Sequence, residues 1–331
     1  MSDKSSFQLA EESWELYRST ALATSLVAGE VLAEMGETHK NVVVLSADLA
    51  IPTRVWEFGQ RFPERFFDVG IAEKNMISIA AGMASTGLMP YCSTYAAFCG
   101  LLAAEQIRTD VAYPNLSVRI LGTHSGIAMG FYGTSHHATE DIAMIRAMAN
   151  MTIVSPCDGQ EFRWLLEESL SYPGPIYFRL SRGRDPNIYV EKPEKFKIGK
   201  PVVMRNGTDV ALFATGTMVG PAIEAAENVN RSHGLSVRVI NVHTLKPLDT
   251  EIVVRAAQET QLMVSVEEHN VLGGLGGAIA EILVQQAIPR RLIIHGIKDQ
   301  FSLIGPPYHL YHHYGLDAEG IATVLLHSMN V

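Results

Sequence analysis

Glu73 sits in the stretch Phe67–Asn75 (FDVGIAEKN), where a strand end passes through a turn glycine toward a helix pattern over Asn75–Gly87. Open parallel sheets bind ligands beyond their strand C-termini, so this carboxylate stands where a site would form. A glutamate also suits a helix N-terminus for the sake of the dipole alone. In Tyr91–Gly100 (YCSTYAAFCG), Tyr95 and Phe98 are three apart and share a face if the stretch is helical. Such a pair packs into a core or against a flat heterocycle. The stretch Gly122–Glu140 (GTHSGIAMGFYGTSHHATE) is a glycine-punctuated loop carrying His124, His136 and His137. Core packing explains three histidines there poorly, whereas proton transfer near neutral pH suits imidazole. No cysteine or carboxylate flanks them at a familiar zinc spacing, so no metal site is assigned to this chain. Arg179, Arg182 and Arg184 (FRLSRGR) could grip a phosphate bidentately or pair with carboxylates. The GGLGG run at 273–277 reads as a tight turn, because it lacks the third glycine and ribose-binding acid of a dinucleotide fingerprint. His309 and His313 read as one solvated helix face.

Short β-branched runs alternate with longer helical patterns around these residues. Strands are expected at Asn41–Ser46, Ser117–Gly122, Met151–Ser155, Ile176–Leu180, Asp209–Ala214, Ser236–Val242, Leu262–Val266 and Leu292–His295. Helices are expected near 19–36, 75–87, 98–112, 140–149 and 158–171, then 218–233, 249–259, 275–288 and 317–329. This rhythm predicts an α/β protein of two doubly wound domains. Asp185–Pro201, with three prolines and seven charges, breaks the alternation and reads as a linker. The expected domains are 1–190 and 191–331, without an internal repeat.

Lysine plus arginine number 26 against 35 acidic residues, a net charge of −9 that opposes binding to nucleic acid or an anionic membrane surface. Charged residues make up only 18% of the chain, so much of the surface is expected to be covered in an oligomer. Cys92, Cys99 and Cys157 form no CxxC pair and cannot pair off completely, which fits a reducing compartment. With no leader pattern and no apolar run long enough to span a membrane, a cytoplasmic location is expected.

SADLA at 46–50, DVGIAEKN at 68–75, YCSTYAAF at 91–98, the GTHSG…GTSHH loop, ANM at 149–151, SPCD at 155–158 and LSR at 180–182 together resemble the transketolase family. GTM at 216–218, KPLD at 246–249, VEEH at 266–269 and GGLGGAIAE at 273–281 are similar to its C-terminal domain. The same motifs are similar to those of deoxyxylulose-phosphate synthases and of 2-oxoacid dehydrogenase β-subunits. The resemblance implies a thiamine-diphosphate enzyme. In it, Glu73 matches the glutamate that protonates N1′ of the aminopyrimidine and so favours the imino tautomer that deprotonates C2. Tyr95 and Phe98 match the aromatics on that ring, and Leu49 an apolar contact. His124 and His136 match histidines that bind the hydroxyl and carbonyl oxygens of a ketose and manage its protons and oxyanions. Arg18 and Arg182 match the arginines on a sugar phosphate, and Asp48 and Tyr132 complete the implied substrate site. Phe131 and Tyr132 stand where the family has an acidic pair, and Thr53 near a family serine, which leaves the particular sugar open. The family's GDG…N stretch, which holds Mg²⁺ and the diphosphate, does not occur in the sequence. The resemblance therefore implies the C-terminal-type subunit of a split transketolase, completed by an N-terminal subunit in an α2β2 heterotetramer and transferring a two-carbon ketol unit between sugars. The alternatives are a 2-oxoacid-using relative and a non-catalytic scaffold subunit.

Overall fold

A computed structural model describes residues 24–182 and 186–330. Arg18 and Arg184 lie outside the described residues. Among the described residues twelve strands follow one another as β1 (Val42–Ser46), β2 (Phe66–Asp68), β3 (Met89–Tyr95), β4 (Arg119–Thr123), β5 (Thr152–Val154), β6 (Ile176–Arg179), β7 (Val202–Arg205), β8 (Val210–Ala214), β9 (Val237–Asn241), β10 (Thr244–Lys246), β11 (Leu262–Asn270) and β12 (Leu292–Ile297).

They form two sheets, of order β10-β5-β6-β4-β3-β1-β2 and β12-β11-β8-β9-β7. Every neighbouring pair is parallel except at two edges, where β10 runs against β5 and β7 against β9. The predicted pair of doubly wound sheets is thus present. One strand from the second half, β10, completes the edge of the first sheet.

β1 illustrates why the sequence folds this way. Its side chains alternate between two buried faces, Val42 and Val44 packing with the helices Thr24–Thr38 and Gly159–Glu168, Val43 and Leu45 with Glu73–Ser85 on the other side. A strand buried on both faces reads as an unbroken apolar run. The cluster on the second face continues through Ile153, Val242, Leu245 and Ile279 into the other half, so one apolar core binds the halves together. Asp158, Asp249 and Asp317 cap the helices that follow them by accepting a backbone N–H, and Gly234 closes one in the left-handed region.

Several elements differ from the sequence reading. β3, β7 and β10 are not among the expected strands, and of β2 only the end ahead of Gly70 is expected. β2 and β10 span three residues each, too short for a period to register, and β3 breaks its apolar run with Pro90, Ser93 and Thr94. The expected helix near 98–112 carries two widened π-type stretches, Phe98–Leu102 and Ile107–Ala112. At Gly100 the helix presses against Asp141, where a Cβ would come within 2.8 Å of the aspartate's own. The helix near 140–149 stops at Arg146, and Asn150, at φ 66°, turns the chain into β5. Among the described residues no helix is long and apolar enough to cross a membrane.

Candidate active site

The chain enters β2 on one side of β1 and then crosses to β3 on the other, so the strand order reverses at β1. Such a reversal opens a crevice beyond the strand C-termini, the usual ligand position in open α/β sheets. The segments that leave β1, β2, β3 and β4 there carry Asp48 and Leu49, Glu73, Tyr95 with Phe98, and His124, in that order.

Glu73 is the first residue of the helix Glu73–Ser85 rather than a residue ahead of it. Its side chain is buried, and among the described residues its carboxylate has no hydrogen-bond or ion-pair partner. Tyr95 ends β3 and Phe98 begins the next helical turn, so their rings meet 5.5 Å apart without the shared helix face predicted for them. Tyr95 also lies 4.4 Å from the ring of His124 and 6.0 Å from that of His136, and Phe98 lies 5.2 Å from His136. The hydroxyls of Ser93 and Thr94 on β3 are buried without partners among the described residues. Leu49 is half-buried, and Asp48 is exposed with its N–H bonded to Asp68. Thr53 is buried and donates to the Leu49 carbonyl, which explains it as a turn-closing residue.

The histidine loop is closed at its neck by paired backbone bonds between Gly126 and Ala138, which returns His136 to the side of His124. Beneath the neck, Glu268 of β11 accepts from Ile127 N–H at 2.7 Å, Thr217 Oγ1 at 2.8 Å and Tyr311 O–H at 2.8 Å. Burial raises its pKa, and Arg179 and these donors oppose the rise. Gly126 has φ 64°, and a Cβ there would meet the Glu268 carboxyl carbon at 2.2 Å, so glycine is required on both counts. Arg179 is held from two sides: Nε donates to Asp141 at 2.9 Å, and Nη2 donates to the carbonyls of Ala138 and Glu268. Tyr177 O–H also donates to Asp141 at 2.7 Å. Of the two fates open to the arginines, ion pairing holds for Arg179.

His124 is buried, and its pKa is pushed down to about 3, mainly by burial, then by the charge of Arg182 and by His136. It is a neutral ring, not a group poised to titrate near pH 7. Tyr132 is exposed, its ring centre 4.9 Å from that of His136 at a tilt of 44°, and Phe131 beside it is exposed too. His137 departs from the cluster. It is buried against Ser302, and burial lowers its pKa. Arg182 is half-buried at the end of a cavity of about 880 Å³ that runs between the two halves past Thr217, Tyr308, His309 and Tyr311. The GGLGG turn holds no external anion, because Glu267 accepts from the N–H groups of Leu275 and Gly276 at the start of the helix Leu275–Gln285. His309 and His313 are exposed on the helix Pro307–His313, as expected. Among the described residues no group of three or more His, Cys, Asp or Glu side chains could hold a metal ion.

The sequence reading names every side chain of the cluster that the described residues contain but misses its supports, Asp141, Thr217, Glu268 and Tyr311. Only their meeting in space marks these as a group. Thr123 and Ser135 escape it as well, although each is a hydroxyl immediately preceding a loop histidine.

The family model for the transketolase pyrimidine-binding domain matches residues 20–186, and that for the transketolase C-terminal domain matches residues 199–321. The chain belongs to the transketolase family. A protein of Methanocaldococcus jannaschii, provisionally described as a transketolase C-terminal section, is 40% identical over 303 residues, covering 91% of this chain and 94% of its own. One of the subunits of the apulose-4-phosphate transketolase of Phocaeicola vulgatus is 35% identical, covering 90% and 94%. Among solved structures, a split-gene transketolase described as an inactive β4 tetramer superposes with a TM-score of 0.81 at 37% identity, covering 91% of this transketolase-family chain and 96% of the other.

Proposed function

We propose that the chain is the subunit of a thiamine-diphosphate-dependent transketolase that receives the cofactor's aminopyrimidine, and that the assembled enzyme moves a two-carbon ketol unit from a ketose phosphate to an aldose or aldose phosphate. The observation that carries this reading is Glu73, a buried carboxylate at a helix N-terminus beyond the sheet reversal, without a partner of its own among the described residues. With no partner of its own among the described residues, that carboxylate is free to answer a ligand. An aminopyrimidine fits, with a ring nitrogen to share a proton with Glu73 and flat faces for Tyr95, Phe98 and Leu49. The chemistry supplied by bound thiamine diphosphate is a carbon nucleophile able to carry a two-carbon unit.

This chain's residues do the rest. Glu73 holds a proton at the pyrimidine edge. His124, uncharged, and His136 face the sugar oxygens, and Tyr95 with Phe98 excludes water from that side. Arg182 offers its guanidinium to the phosphate, together with Arg18, while Asp48 and Tyr132 border the substrate. The diphosphate and Mg²⁺ or another divalent cation fall to an N-terminal partner bearing the GDG…N motif, in an α2β2 assembly. The relatives described as a C-terminal section and as one subunit of a multi-subunit transketolase support that division of labour. We place the boundary between this chain's own domains at 190/191 and the enzyme in the cytoplasm, where three free buried cysteines are at home.

The test combines the purified chain with its candidate partner, thiamine diphosphate and Mg²⁺, offering xylulose 5-phosphate or another ketose phosphate with an aldose in one arm and pyruvate in the other. Ketol transfer is expected. Release of CO₂ from pyruvate without ketol transfer refutes the reading in favour of a 2-oxoacid-using relative.

A further inference from the structure

The histidine loop contains a proton-ordering device. Thr123 is fully buried at the end of β4, and its single hydroxyl proton has two neighbours: the Thr94 carbonyl at 3.3 Å and Nδ1 of His124 at 3.0 Å. Donation to the carbonyl leaves the hydroxyl oxygen to accept from Nδ1–H, making two hydrogen bonds in a chain. Donation to Nδ1 makes one and leaves two oxygens facing each other with no proton between them. The first arrangement is favoured by the value of the additional bond. Burial removes the water that could otherwise take up the difference.

The opposite nitrogen, Nε2, has no hydrogen-bond partner among the described residues. The groups around the ring do not favour a second proton. Tyr95 packs against it at a 46° tilt, Arg182 and His136 repel a positive charge, and burial opposes one. His124 also has φ 57°, a left-handed backbone rare outside glycine, so the loop holds this ring in one place at some cost.

We propose that Thr123 fixes His124 as the Nδ1–H tautomer, so that bare Nε2 meets the substrate as a hydrogen-bond acceptor for a sugar hydroxyl and leaves the anionic end to Arg182. This rests on the transketolase reading for the identity of the substrate, but not for the state of the ring. Thr123 is a positioning residue that acts through His124. The same hydroxyl-then-histidine geometry occurs at Ser135–His136, and also at Thr38–His39 and Ser232–His233. Those three hydroxyls are exposed, where water competes for each proton, so the inference is confined to the buried pair.

The test is long-range ¹H–¹⁵N NMR of the full chain carrying ¹⁵N-histidine at neutral pH, with the His124 signals assigned by their loss in His124→Gln. The proton is expected on Nδ1 in the wild type and in Thr123→Ser. In Thr123→Val it is expected to move to Nε2. A wild-type ring protonated on Nε2, or a folded Thr123→Val with the proton still on Nδ1, overturns the proposal. If Thr123→Val does not fold, the wild-type and Thr123→Ser spectra alone decide. In the reconstituted complex, Thr123→Val should raise KM for a polyhydroxylated donor about tenfold, the value of one mispaired hydrogen bond, with Thr123→Ser restoring it. A Thr123→Val KM equal to wild type overturns the substrate half of the proposal. Absence of ketol transfer by the wild-type complex refutes the functional reading while leaving the NMR result standing.

Discussion

The Arg179–Asp141 pair offers a quantitative test of how the histidine loop is held. Both side chains are buried, and Asp141 supplies the hydrogen-bonded counter-charge, with Glu268 a second carboxylate nearby, to a guanidinium whose other described contacts are the Ala138 and Glu268 carbonyls. Asp141→Ala removes that charge and the acceptor for Tyr177 O–H while leaving Arg179 inside. Breaking a buried pair from one side costs about 3–5 kcal/mol, because the remaining ion loses its hydrogen-bonded counter-charge, and Glu268 puts the expected cost at the lower end of that range. Replacing both partners by apolar groups costs less than the two single losses together, since neither member of the pair is left behind, although Glu268 then loses the Arg179 charge. Asp141→Ala, Arg179→Met and the double variant should therefore form a strongly non-additive cycle in urea unfolding at neutral pH. A coupling of at least about 2 kcal/mol is expected, with Asp141→Ala the costliest. Arg179 also ties Ala138 to β11, so the surviving Asp141→Ala fold should bind donor sugars more weakly. A cost below about 1 kcal/mol, or singles that sum to the double, would mean that the pair behaves like a solvated surface bridge and does not hold the loop.

Glu73→Gln should lower kcat of the reconstituted complex by roughly 100-fold or more, the scale of a lost acid–base group, while leaving partner assembly unchanged in size-exclusion chromatography. Gly126→Ala should destabilise the chain by about 1–3 kcal/mol in the same urea assay, since the new Cβ both overlaps the Glu268 carboxylate and sits at positive φ. His124 gives a pH signature: folded it titrates near 3, unfolded near its ordinary 6.5. Between those values only the unfolded chain takes up the proton, so the stability contributed by the neutral ring is full above pH 6.5 and is lost as the pH falls. Between about pH 8 and about pH 5 the loss is about 2 kcal/mol, and the stability gap between wild type and His124→Gln should narrow by that amount. A gap independent of pH contradicts a buried neutral histidine.

Much of the site is legible in the sequence because its residues lie where one local pattern gives way to another. A strand, a glycine and a helix announce the position of Glu73 without reference to any other part of the chain. The loop histidines stand out because no core face accounts for them. Meetings between distant residues are what the sequence hides. Asp141 and Arg179 are far apart along the chain, Glu268 is farther still from Ile127, and neither pairing leaves a local trace. The Tyr95–Phe98 contact is foreseeable, but for the wrong geometry. Three-residue spacing suggests one helix face, whereas a strand end and a helical turn bring the rings together. β10 stays hidden for a related reason, since its partner β5 belongs to the other half.

That borrowed strand has a practical corollary for proteolysis. Clipping the backbone around Glu191–Lys195 would not yield two separable pieces, because Thr244–Lys246 remains laced to Thr152–Val154 and a shared oily seam runs beneath both. Expressed without its tail, the front portion would present a raw sheet margin ready to adhere to its own copies.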